Sequence, residues 1–163
     1  SPMIVPLIIT AAGMFFFYAR INLVYTFTGV ILAHVALATP FVVITVTATL
    51  VGFDMNMVKA SQSLGARPVR TFFKVILPLI LPGVISGALF AFITSFDEVV
   101  IVMFMASLDQ LTIPKQMWAG IRQEISPVIL CMATCLVVLS IFLLTTVELL
   151  RRRSEKLRGI KAR

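Results

Sequence analysis

Apolar residues in this chain do not alternate with polar ones, and they do not recur on one helical face. They run in long stretches: about 3–19, 23–51, 79–106 and 127–150. About 20 residues at 1.5 Å rise cross the hydrocarbon of a bilayer, so each stretch predicts a membrane-spanning helix. Barrel strands would show short segments of about ten residues with a two-residue alternation, which is absent. Pro40 lies inside the second stretch and Pro82 inside the third. Prolines are tolerated within membrane helices, where they commonly kink the axis. The expected fold is an all-α polytopic membrane protein, a single transmembrane domain covering 1–163.

Composition strengthens this picture. Hydrophobic residues make up 60% of the chain, the mean hydropathy is +1.05, and 13% of residues are charged, against roughly 25% in a soluble domain. The net charge of +7 raises the question of nucleic acid. The basic residues sit at the ends of apolar stretches, with no aromatic or basic readout surface, which argues against it. Cys131 and Cys135 share a helix face inside an apolar run with no histidine or acid beside them. They read as small packing residues rather than metal ligands. Ser1-Pro2-Met3 leads straight into an apolar run, without the charged start or cleavage site of a signal peptide. We therefore expect further sequence upstream.

Charge sets the expected topology. Of the fourteen basic residues, eleven lie in the 52–77 connector or the 151–163 tail. Arg20, Lys115 and Arg122 are the others. Basic residues favour the cytoplasmic side. The 52–77 connector and the tail are thus expected in the cytoplasm, and the 20–23 and 107–126 connectors outside. This alternation is self-consistent over four crossings.

The 52–77 connector, GFDMNMVKASQSLGARPVRTFFKVIL, is patterned as structure. Asn56 or Asp54 can cap a helix start. Met57, Ala60, Ser61 and Leu64 then share a face, Gly65 suits the left-handed residue that ends a helix, and Pro68 follows. A second helical stretch with Phe72, Phe73 and Val75 leads into the membrane at Leu77-Pro78. A short helix between two spans must dock on something. Its modest charge and small Ala/Ser face suit a protein groove better than a lipid surface.

Lys59-Ala60-Ser61, three residues, Gly65, nine residues, then Val75-Ile76-Leu77-Pro78 resembles the EAA loop of ABC importer permeases. The chain departs from that pattern at Lys59, where the family usually has Glu, and at Ser61, where it has Ala. The stretches LGARPVRTFFKVILPLILPGVISGALFAFITSFDEVV and QMWAGIRQEISP are most similar to the spermidine/putrescine branch. The resemblance implies a type I importer permease fold of six spans, two of them upstream of this chain. It also implies a multi-pass inner-membrane location with a cytoplasmic C-terminus. The implied partners are two cytoplasmic ATPase subunits, a second permease subunit or copy, and an external substrate-binding protein. On this resemblance Lys59, Ala60, Ser61, Leu64, Gly65 and Pro78 would couple to the ATPase. The chain has no GxxxxGK[ST] loop to cradle a nucleotide, and no cofactor is expected.

The third stretch carries the candidate chemistry. Asp97 and Glu98 follow eighteen uncharged residues, about 27 Å from Leu79 if straight, and Val99 to Ala106 continue uncharged. The run is long for one straight crossing, so a break or a tilt near Ser95–Asp97 is expected. Acids within a span cost about 2.5–3.5 kcal/mol each on insertion scales and usually mark function. Gly83, Gly87, Ala91, Ser95 and Glu98 form one helical stripe, of the small-residue kind that lets helices approach closely. Ser86, Phe90, Thr94 and Asp97 form the neighbouring stripe. A ring and a carboxylate together suit an alkylammonium group. We expect Asp97 to face the substrate path for a cationic solute such as a polyamine. The alternative is a structural role at the break, capping it or pairing with Arg122 or Lys115. For Glu98 the structural reading is the stronger one.

Of the other polar residues, His34 in the second stretch reads as a hydrogen-bonded packing residue, with a proton relay as the alternative. Thr45, Thr47 and Thr49 are expected to bond back to their own helix. Trp118 reads as an interface anchor or, with Arg122, Lys115 and Glu124, as a contact for a binding protein. Three function classes compete. The ABC permease comes first, for a polyamine or another small solute. A self-powered transporter or channel would want matched repeats and broken helices, and no repeat is seen. A membrane enzyme would want a nucleophile set or metal motif, and the chain shows neither.

Overall fold

The computed structural model describes residues 5–123 and 127–157. All regular structure among them is helical. α1 (Leu7–Arg20) is followed by α2 (Phe27–Val51) and the short α3 (Asn56–Ser63). α4 (Pro68–Thr71), a π-helical turn (Phe72–Ile76) and α5 (Leu77–Phe96) form one continuous helix. α6 (Val100–Met105), α7 (Ile113–Gln123) and α8 (Pro127–Leu157) complete the order.

Among the described residues three helices are long and apolar enough to cross a membrane: Phe27–Val51, Pro68–Phe96, and the Pro127–Thr146 part of α8. α1 has 14 described residues, shorter than the roughly 20 of a full span. The stretch expected from Met3 begins outside the described residues. α8 continues as helix beyond residue 150 to Leu157, through the first basic residues of the tail.

α2 and α5 form the closest helix pair. A Cβ at Gly83 would collide with the Thr49 side chain, and one at Gly87 with the Thr45 hydroxyl and, at 3.0 Å, the Val42 backbone. Only glycine admits this separation. The opposing threonines turn their hydroxyls onto their own helix: Thr45 donates to Phe41 O (3.0 Å) and Thr49 to Thr45 O (2.9 Å). Their polar groups are thereby satisfied within α2, so the hydroxyl oxygens can lie against the glycines of α5 without a partner there.

A second cluster joins α1, α2 and α6 around Ala11, Ala33, Leu37, Ile101 and Met105, with Phe15 and Phe104 in edge contact (6.5 Å). The same end is tied by Tyr25, at a φ of 61° in the α1–α2 turn. Its N–H donates to Met105 O (2.9 Å), and its carbonyl accepts from Gln110 Nε2 (3.1 Å). The 20–26 turn and the 106–110 segment therefore lie together.

The π-helical turn sits just before Pro78. Leu77 N–H bonds back five residues to Phe72 O. Proline has no N–H for the Lys74 carbonyl and crowds it, and a wider turn ahead of it relieves the crowding.

A broken helix and an elbow as candidate functional sites

α5 stops at Phe96 and the chain restarts as α6 at Val100, so Asp97, Glu98 and Val99 form the break. The two acids have opposite environments. Glu98 is 6% exposed, and its Oε1 accepts the Ile101 N–H at 2.8 Å, satisfying a first-turn donor of α6. Asp97 is exposed. Its backbone N–H closes α5 onto Ile93 O (3.3 Å), which leaves its carboxylate outside the helix hydrogen-bonding.

The stripe 83, 87, 91, 95, 98 faces inward along its length. Gly83 and Gly87 meet α2, Ser95 Oγ lies 2.8 Å from His34 Nδ1, and Glu98 is buried at the break. Pairing the histidine with Ser95 supports the packing reading of His34. The hydrogen bond spans 61 positions in sequence, and no local signal announced the partner.

Of the neighbouring stripe, Thr94 and Asp97 line one cavity of about 400 Å³, with Leu7, Glu98 and Val100. Phe90 is 51% exposed one turn below and stacks on Phe41 of α2 at 6.5 Å and 21°. Ser86 is half-buried and outside the cavity. The structure thus brings two of the four expected residues directly together and sets Phe90 beneath them.

A second cavity, of about 420 Å³, also opens on Asp97. Phe96, Met117, Trp118 and Ile121 line it, and its far wall is the Leu136–Leu144 part of α8. This is a finding beyond the sequence reading. The 107–126 connector is not an open loop: α7 carries Met117, Trp118 and Ile121 on one face and lays them beside the acid. Trp118 therefore shares the Asp97 cavity, while its expected role against a binding protein stays open. Lys115 reaches neither acid, and its Nζ donates to Ala106 O (3.4 Å). The Arg122 side chain and Glu124 lie outside the described residues, as do residues 158–163 of the tail. Among the described residues no group of three or more His, Cys, Asp or Glu could hold a metal ion.

The 52–77 connector forms a rigid elbow. Asp54 Oδ1 accepts the Asn56 N–H at 2.9 Å, so Asp54 rather than Asn56 caps α3. At the other end Gly65 adopts a φ of +79°, its N–H donates to Gln62 O (2.9 Å), and Ala66 N–H donates to Ser61 O (3.2 Å). That 6→1 closure with a left-handed glycine is a Schellman-type end. Ser61 Oγ lies 3.1 Å from Thr71 Oγ1, and Thr71 is buried, so α3 is pinned to α4. Lys59 and Ala60 are exposed, and Leu64 is 89% exposed beside the glycine. Pro78 is the second residue of α5.

Residues 2–156 match the sequence profile of a family described as the inner-membrane component of binding-protein-dependent transport systems. The chain belongs to this family. Among its relatives, the Haemophilus influenzae spermidine/putrescine transport system permease protein PotC is 32% identical over 153 residues, 94% of this chain and 60% of the relative. Escherichia coli K12 PotC is 30% identical over 154 residues, 94% of this chain and 58% of the relative. The putrescine transport system permease protein PotI of the same strain is 36% identical over 103 residues, 63% of this chain and 37% of the relative. The chain thus spans about 60% or less of the length of these relatives. Membership of the permease family agrees with the apolar helices and places the chain in an inner membrane as a multi-pass transport component. It also bears out the resemblance drawn from the elbow motif and from the stretch around Asp97.

Proposed function

We propose that this permease chain forms part of the path for a polyamine in an ATP-driven importer. The single observation that carries the reading is the exposed Asp97 carboxylate, presented at a helix break between two cavities. Phe96 and Trp118 line the cavity on one side, and Thr94 lines the other. An alkylammonium group gains ion pairing from the carboxylate and cation–π attraction from the rings, while apolar walls accept its methylenes. The relatives' names, spermidine/putrescine and putrescine transport permeases, point to the same class of cation.

In this reading the path is completed by a second permease subunit or copy. Two cytoplasmic ATPase subunits dock at the elbow of Lys59, Ala60, Ser61, Leu64, Gly65 and Pro78. An external binding protein delivers substrate near Trp118 and Arg122. The elbow and the C-terminus face the cytoplasm. Glu98 contributes by holding the break in shape, and Ser86 and Phe90 extend the path below it.

The test is uptake of labelled putrescine and spermidine into vesicles carrying the full-length permease with its partners. ATP-dependent uptake supports the reading. An ATPase-coupled complex that moves no polyamine turns the search to other small solutes. Uptake that proceeds without any ATPase revives a self-powered transporter.

A further inference from the structure

The elbow between α3 and α4 encloses a cavity of about 400 Å³ lined by Ser61, Leu64, Gly65, Ala66, Arg70 and Lys74. Arg70 and Lys74 stand four residues apart on one helical face. Like charges so spaced repel unless an anion lies between them. No acid lines the cavity, and among the described residues no ion pair reaches either cation. Asp54, the acid of this connector, caps α3 instead. The frame is rigid, because the Ser61–Thr71 contact and the left-handed Gly65 fix the angle between the two helices. Leu64, 89% exposed, stands at the lip.

We infer that this cavity receives a carboxylate side chain of the protein docked on the elbow, with Leu64 seated in an adjoining apolar notch. The inference rests on the ATPase docking proposed above and deepens it by assigning the chemistry of the contact. Arg70 and Lys74 supply a charge-assisted pair for one Asp or Glu, and Ser61 can donate a further hydrogen bond. Lys59, exposed on α3, extends the same positive field. A protein fits better than a lipid headgroup, because α3 exposes Asn56, Lys59, Gln62 and Ser63 around Met57 and Ala60, a mixed face rather than the continuous apolar one that embeds a helix in a membrane surface. A free inorganic anion would leave Leu64 without a role.

The experiment uses the full permease in nanodiscs of neutral lipid. It measures binding of its ATPase subunit at rising salt, with the Arg70→Ala/Lys74→Ala double variant and with Leu64→Ala. Retention of the partner permease reports that each variant is folded. The expected result is that the double variant binds about 10-fold more weakly at low salt and loses most of the salt dependence. Leu64→Ala should weaken binding while keeping that dependence. A wild-type permease that binds no ATPase sinks the docking reading itself. A double variant that binds like wild type at every salt concentration overturns this inference alone. A defect seen only when anionic lipid is added assigns the cavity to a lipid phosphate and also overturns it.

Discussion

The two faces of α5 are neighbours on one helix and behave as opposites. One carries Gly83, Gly87 and Ser95 and is closed by α2: no Cβ fits at either glycine, and Ser95 meets His34 at 2.8 Å. The other carries Phe90, Thr94 and Asp97 and borders open cavities. The closed face is held by van der Waals contact between backbones, which lipid cannot replace once a side chain keeps the helices apart. The open face keeps its polar groups where a ligand can reach them. The break at 97–99 separates the two acids, turning Glu98 into the protein and leaving Asp97 out.

The strongest way to break this comparison is to close the wrong gap. Gly83→Leu combined with Gly87→Leu should cost more than about 3 kcal/mol by overpacking, and the folded permease should fail to accumulate in membranes. Normal expression and thermal stability would show that α2 and α5 are not in tight contact. Next in size is Asp97→Asn. Removing a charge partner worth about 1.5–3 kcal/mol should lower polyamine uptake at limiting substrate about 10- to 100-fold, with the complex still assembled. Uptake kinetics equal to wild type would remove Asp97 from the path.

Glu98→Ala tests the opposite role. It strands the buried Ile101 N–H and should destabilise the protein by about 1–3 kcal/mol in thermal unfolding, whether or not substrate is present. If Glu98→Ala leaves the melting point unchanged and abolishes uptake, the contrast between the two acids is drawn wrongly. Trp118→Leu keeps the apolar wall but removes the ring. A cation–π contribution of about 0.5–1 kcal/mol predicts a two- to fivefold rise in the KM for polyamine. Ser95→Ala is the mildest change. Hydrogen bonds between membrane helices average about 0.6 kcal/mol, so a small fall in melting temperature with unaltered uptake is expected.

Much of this was legible along the chain because the signals are local. A break or tilt near Ser95–Asp97 follows from a run too long for one crossing, and the structure makes it a break after Phe96. The Gly65 turn and the short α3 follow from glycine and proline placement. Other features depend on residues far apart in sequence. His34 gave no sign of Ser95 as its partner, since that contact exists only once α2 and α5 are packed. The helix α7 within the 107–126 connector went unread because polar residues interrupt the face shared by Met117, Trp118 and Ile121. Folding that face against α8 brings Trp118 to Asp97.

The sequence alone determined that the chain is a helical membrane protein, because hydrocarbon demands long apolar runs and self-satisfied backbone whatever the tertiary arrangement. It also pointed to the permease family, through the spacing of Ala60, Gly65 and Pro78. Tertiary structure alone decided which of two adjacent carboxylates is exposed, which stripe of α5 is closed, and that Arg70 and Lys74 share a cavity with Ser61. Each of those outcomes depends on how helices distant in sequence are brought together. A one-residue step along a helix turns a side chain by about 100°, enough to separate a buried cap from an exposed charge.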